Sequence, residues 1–183
     1  SKTFGTARNL ENVKLPATLQ IITNGAFSGC DALKTLDLSN TQVDTISGEY
    51  TFNGSNALTT IILPKNVPVV NWEKGIRINN PNLKIYGWSE NQLPEGNDVA
   101  KYFVGPPTLG DDLKDGGTYA YNTVLTGLQA DAEVYVDGTK AGTVDQNGTY
   151  RLTLSPGSYE MYLANAMGVE TQHVKITVVQ SQT

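Results

Sequence analysis

One spacing constrains this chain more than any other property. Three segments align on L-x-x-L-x-L: Leu10-Glu-Asn-Val13-Lys-Leu15, Leu33-Lys-Thr-Leu36-Asp-Leu38 and Leu58-Thr-Thr-Ile61-Ile-Leu63. A fourth, Leu83-Lys-Ile85-Tyr86, starts the same way but reaches its next apolar position one residue early. The lead leucines stand 23, 25 and 25 residues apart, and Phe4, Phe27 and Phe52 precede the first three by six residues each. A unit of this length cannot bury its own apolar face, whereas stacked neighbours can. The pattern therefore predicts a solenoid in which each repeat supplies one short strand and a return segment closed by its Phe. Leu19 and Ile22, then Val43 and Ile46, fill the apolar positions after the turn. Cys30 stands where Ala7 and Ser55 stand in the neighbouring repeats, so it reads as a small packed residue rather than a nucleophile.

The string Gly25-Ala26-Phe27-Ser-Gly29-Cys30-Asp-Ala-Leu33, with Leu19 and Ile22 before it, resembles the BspA-like leucine-rich repeats of bacterial surface proteins over residues 3 to about 86. The motif loosens in Gly48-Glu-Tyr50-Thr-Phe52-Asn-Gly54-Ser55 and again in Gly75-Ile76-Arg-Ile78-Asn-Asn-Pro81, as a terminal cap should. Phe4 falls inside a return segment whose strand is missing, which leads to the expectation of an N-terminally truncated repeat array. The resemblance implies a bacterial cell-surface or extracellular location and adhesion to host matrix or neighbouring cells.

After the repeats the pattern changes. Residues 1–90 carry 8 basic and 7 acidic side chains, whereas 91–183 carry 5 and 11. Residues 91–117, rich in Pro and Gly, read as a linker with a candidate first edge strand at 99–104. From 118 to 183 apolar residues alternate in short runs at 118–125, 132–136, 140–144, 149–154, 158–164 and 171–179, separated by turn signals such as Asp137-Gly138 and Asn147-Gly148. Such spacing predicts a sandwich or barrel. Leu154-Ser-Pro156-Gly157-Ser-Tyr159-Glu-Met161 resembles the corner before the sixth strand of immunoglobulin-like folds, where a tyrosine hydroxyl bonds back to the backbone. Met161 takes the place of the cysteine, which suggests a disulfide-free immunoglobulin-like module; a PEGA-like or carboxypeptidase-regulatory-like sandwich competes with it. The expected fold is thus mostly β, a short leucine-rich-repeat solenoid followed by an immunoglobulin-like β-sandwich.

Chemistry-bearing residues are sparse. One Cys and one His provide neither an internal disulfide nor a convincing metal set or nucleophile–base pair, and no cofactor motif is present. A net charge of -5 argues against nucleic acid, and no apolar run approaches the ~20 residues of a membrane span. Asp111, Asp112 and Asp115 fit a solvated loop better than a calcium site. Binding surfaces remain. Period-two alternation turns Glu133, Tyr135, Glu160, Tyr162, His173 and Lys175 to one outer face of the sandwich, as a protein- or glycan-contacting patch or as cross-strand pairs supporting the sheet. On the repeats, Asn12, Lys14, Thr35, Asp37, Thr60, Ile62 and Lys84 point outward along the expected concave face. The expectation is a non-enzymatic, monomeric module for adhesion or protein recognition, with an extracellular protein or glycan as partner. The alternatives are a carbohydrate-capture accessory domain, using Trp72, Trp88 or the tyrosines as exposed rings, and a passive spacer.

Overall fold

The computed structural model describes residues 7–180; Phe4, the first aromatic of the repeat pattern, lies outside the described residues. The chain divides into two compact units between Gly105 and Pro106.

The first unit is a solenoid with two parallel sheets. Strands β1 (Ile21–Ile22), β3 (Thr45–Ile46) and β5 (Asn71–Trp72) form one. Strands β2 (Thr35–Asp37), β4 (Thr60–Ile62), β6 (Lys84–Tyr86) and β7 (Phe103–Val104) form the other. The expected single strand per repeat is thus corrected to two: the segment read as a return path carries its own strand at Ile22, Ile46 and Trp72. The cause is the apolar residue ending each of those pairs, which faces the same core as Leu36, Ile61 and Ile85. Leu33, Leu36, Leu38, Leu58, Ile61 and Leu63 are all fully buried, so the L-x-x-L-x-L rows point inward together. Phe27 and Phe52 stack at 5.9 Å with planes 7° apart, one coil above the next.

Residues 10–16 depart from the expectation. They carry no strand; Leu10, Val13 and Leu15 pack against the core only in part. At the other end, residues read as linker complete the solenoid. Gln92, in a 3-10 turn at Glu90–Gln92, is buried and donates from Nε2 to the carbonyls of Pro64 (2.8 Å) and Val67 (2.7 Å), while its Oε1 accepts the Trp88 amide. The candidate edge strand at 99–104 is mostly a second 3-10 turn, Asp98–Tyr102, because the Asn97 side chain caps the Val99 amide; only β7 is extended. Tyr102 donates its hydroxyl to the Ile78 carbonyl at 2.8 Å. These side chains satisfy backbone groups that a further coil would otherwise pair.

In the second unit β8 (Thr118–Ala120), β10 (Glu133–Val136), β11 (Thr139–Thr143), β13 (Gly157–Ala164) and β14 (Val174–Val179) make a five-stranded sheet in the order β11-β10-β13-β14-β8. β9 (Val124–Leu125) pairs with β12 (Tyr150–Arg151) in a separate two-stranded sheet. Both sheets contribute to one core that includes Leu125, Val134, Leu152, Met161, Leu163 and Val174. The run at 118–125 is therefore two strands in two sheets, broken where Asn122 adopts φ 73° and the Thr123 hydroxyl bonds to the Ala120 carbonyl. Asp137 and Gly138, at φ 49° and 81°, close the β10–β11 hairpin in the two-residue form such pairs favour.

Candidate interaction surfaces

On the four-stranded parallel sheet, in-register pairing lines up the outward side chains. Thr35, Thr60 and Lys84 form one row, and Asp37, Ile62, Tyr86 and Val104 the other. Five residues of the expected outward face thus come together. Asn12 and Lys14 are exposed but lie on no strand. Tyr86 and Val104 were not legible as members: the fourth repeat breaks the spacing, and the strand of Val104 follows an irregular stretch. Ile62, Tyr86 and Val104 are half-buried neighbours and give this face an apolar stripe. A groove of about 560 Å³ adjoins the same edge, with Lys84, Lys101, Leu83, Tyr102 and Phe103 among its lining.

The outer face of the five-stranded sheet joins the other candidates. Tyr135 lies directly across from Tyr162, and Glu160 across from Lys175. The Tyr135 and Tyr162 rings stack at 5.0 Å and 3°, and those of Tyr162 and His173 at 4.0 Å and 4°, so three rings form one ladder over β10, β13 and the start of β14. Tyr162, expected to be exposed, is buried at 8% because a ring covers each of its faces. Carboxylates surround the ladder. Tyr135 donates its hydroxyl to Glu133 at 3.3 Å, and Lys140 approaches Glu133 at 3.5 Å. His173 Nδ1 lies 3.0 Å from Glu160 and its Nε2 3.0 Å from Glu170. Alternation gave no signal for Glu170, which lies before β14 in an isolated bridge with Ala164. Lys175 belongs to the face, though its amide bonds to Asp115 at 2.8 Å. Partial desolvation and nearby carboxylates push both phenols up, so the tyrosines stay neutral.

The remaining polar candidates are structural fasteners. Asp112 accepts the Thr126 hydroxyl and amide, which hold it below the usual carboxylate range. Asp145 is lowered in the same way by the Thr149 hydroxyl and amide, closing its turn. Cys30 is buried in the solenoid core, and burial pushes its thiol up, away from the thiolate a nucleophile needs. Among the described residues no group of three or more His, Cys, Asp or Glu is placed to hold a metal ion. Neither tryptophan is the exposed ring that was expected. Trp72 is buried at 9%, and half-buried Trp88 donates its indole N–H to the Leu63 carbonyl at 2.6 Å beneath the Lys65 ammonium.

No curated protein matches the chain. Residues 1–74 match the family described as BspA type Leucine rich repeat region (6 copies). The matched stretch contains β1 to β5, and the coil geometry continues beyond it through β6 and β7. By sequence and by the inward stacking of its leucine rows, the first part of this chain is similar to BspA-type leucine-rich repeats.

Proposed function

We propose that the chain is a non-enzymatic module of a bacterial cell-surface protein, acting as a monomer in adhesion or protein recognition. BspA-type repeats are typically found on bacterial surface proteins and commonly serve protein interaction, which supports both the location and the role. The observation that carries the reading is the in-register outward face of the four-stranded sheet. There the apolar stripe Ile62–Tyr86–Val104 lies beside Lys84 and the adjoining groove. An apolar centre with a polar margin is the composition of a protein contact. The ring ladder on the second unit is less suited to it, since its rings cover one another and its charges are already paired.

The second unit is read as an immunoglobulin-like sandwich. The adjacency of β11, β10, β13 and β14, the separate β9–β12 pair and the Tyr159 hydroxyl donated to the Ser155 carbonyl at 2.6 Å support that reading. Glycan capture has less support, because its two tryptophans are occupied by the fold. Binding of the intact chain to a panel of purified extracellular-matrix proteins, with polysaccharides alongside, tests the proposal. Tyr86→Ala and Lys84→Glu are expected to weaken matrix binding by about tenfold or more, and Tyr135→Ala to leave it unchanged. Binding indifferent to Tyr86 and Lys84 removes this face. Retention on polysaccharide alone replaces the partner class, and no binding at all leaves the spacer.

A further inference from the structure

We propose that His173 is a pH-operated clasp: as an imidazolium it bridges the carboxylates of Glu160 on β13 and Glu170 in the segment before β14, and losing its proton releases the Glu170 side chain from the ring. The geometry demands two donors. A carboxylate oxygen only accepts, and a neutral imidazole carries one N–H, yet both ring nitrogens lie 3.0 Å from carboxylate oxygens. Only the protonated ring satisfies both contacts; the neutral ring leaves a nitrogen lone pair facing an anion. The ring is also fixed in place by its parallel stack on Tyr162 at 4.0 Å, where a cation gains from the aromatic face.

The surrounding charges set the response. From β13 come Glu160 and Tyr162, from the loop Glu170, from β10 Tyr135 and Glu133, from β11 Lys140 beside Glu133, and from β14 Lys175 across from Glu160. Asp137 also accepts the Glu160 amide and Asp115 the Lys175 amide, so the carboxylates outnumber the cations even with His173 charged. Losing the proton adds one further net negative charge, concentrated at Glu160 and Glu170. Hydrogen bonding to Glu170 first, opposed by partial desolvation and then aided by Glu160, raises the proton affinity of the imidazole. The sign follows from that direction. A raised folded-state pKa gives stabilisation that is fully present below the unfolded value, near 6.5, and is lost as pH rises through the folded value. All three side chains are 42–48% exposed, so the clasp governs the loop rather than the global fold.

His173 is the only histidine, so NMR titration of the intact chain reads it without ambiguity. The expected result is a midpoint above that of the urea-unfolded chain, with both ring nitrogens protonated below it. The segment before β14 is also tied to β13 by the Ala164–Glu170 bridge and the Thr171 amide bond to the Leu163 carbonyl, and the protection of these amides is expected to fall, without being lost, as pH passes that midpoint. Glu170→Gln and Glu160→Gln should each lower the midpoint by about half a unit or more. His173→Gln should make loop protection independent of pH, with backbone shifts elsewhere reporting the intact fold. A folded midpoint at or below the unfolded one, insensitivity to both glutamine variants, or loop protection unmoved across the midpoint would each overturn the clasp.

Discussion

Gly48 and Gly75 share a backbone angle, φ +92° in both, but not a neighbourhood. A Cβ at Gly48 would stand 2.6 Å from the Thr51 hydroxyl and 3.0 Å from the Asn24 amide nitrogen of the coil below, whereas at Gly75 nothing lies within 4 Å. Gly75→Ala should therefore cost only the left-handed backbone penalty, about 1–2 kcal/mol. Gly48→Ala should cost about 1–3 kcal/mol more, because two coils must part. Urea unfolding followed by tryptophan fluorescence checks this, since Trp72 and Trp88 both lie in the repeat unit; equal midpoint shifts would mean the coils yield freely. At this scale alternation placed Tyr135, Tyr162 and His173 on one face. It could not show that pairing makes their rings touch, because facing requires only parity while stacking requires register. The exposure expected of Trp72 failed for a related reason: a two-residue strand is too short to display a period.

Among elements, the closing segment of the solenoid is the most informative. Gln92 fills with one side chain the places of several backbone donors, meeting the carbonyls of Pro64 and Val67 and the amide of Trp88. Gln92→Glu keeps the size but loses the donors, leaving two carbonyls facing a carboxylate. The expected cost is about 1–3 kcal/mol, and more if the acid stays charged in its buried site. Hydrogen exchange should show lost protection first between residues 88 and 104, with the β1–β3 coils unaffected; uniform loss would mean the segment is not a separate cap. The leucine rows of the array were legible because apolar side chains repeat at fixed spacing. Its closing segment was not, because it is held by Gln92, Asn97 and Tyr102, polar residues reaching carbonyls about 25 residues back, and such bonds leave no periodic trace.

At the scale of the molecule, the two units have separate hydrophobic cores, one ending with Tyr102 and Phe103 and the other beginning with Leu109 and Leu113. A chain cut between Gly105 and Pro106 is expected to give two pieces that each unfold cooperatively in urea, followed by tryptophan emission in the first and tyrosine emission in the second. A featureless, gradual transition in either piece would show that its core is incomplete. The change from a 25-residue repeat to alternation signalled two architectures, but the Pro- and Gly-rich composition of 91–117 hid the division point, since half of that stretch completes the first core.

The outermost pairing of the second unit has a mechanical consequence. β8 is its first strand and β14 its last, and they run parallel. Tension along the chain enters at one end of this pair and leaves at the other. It therefore loads together the bonds from Gly116 to the Lys175 carbonyl, from Thr177 to that of Gly117 and from Tyr121 to that of Val179. Antiparallel strands joined by a hairpin can peel one bond at a time; this pair must slide as a whole, so the unit meets an axial pull in shear.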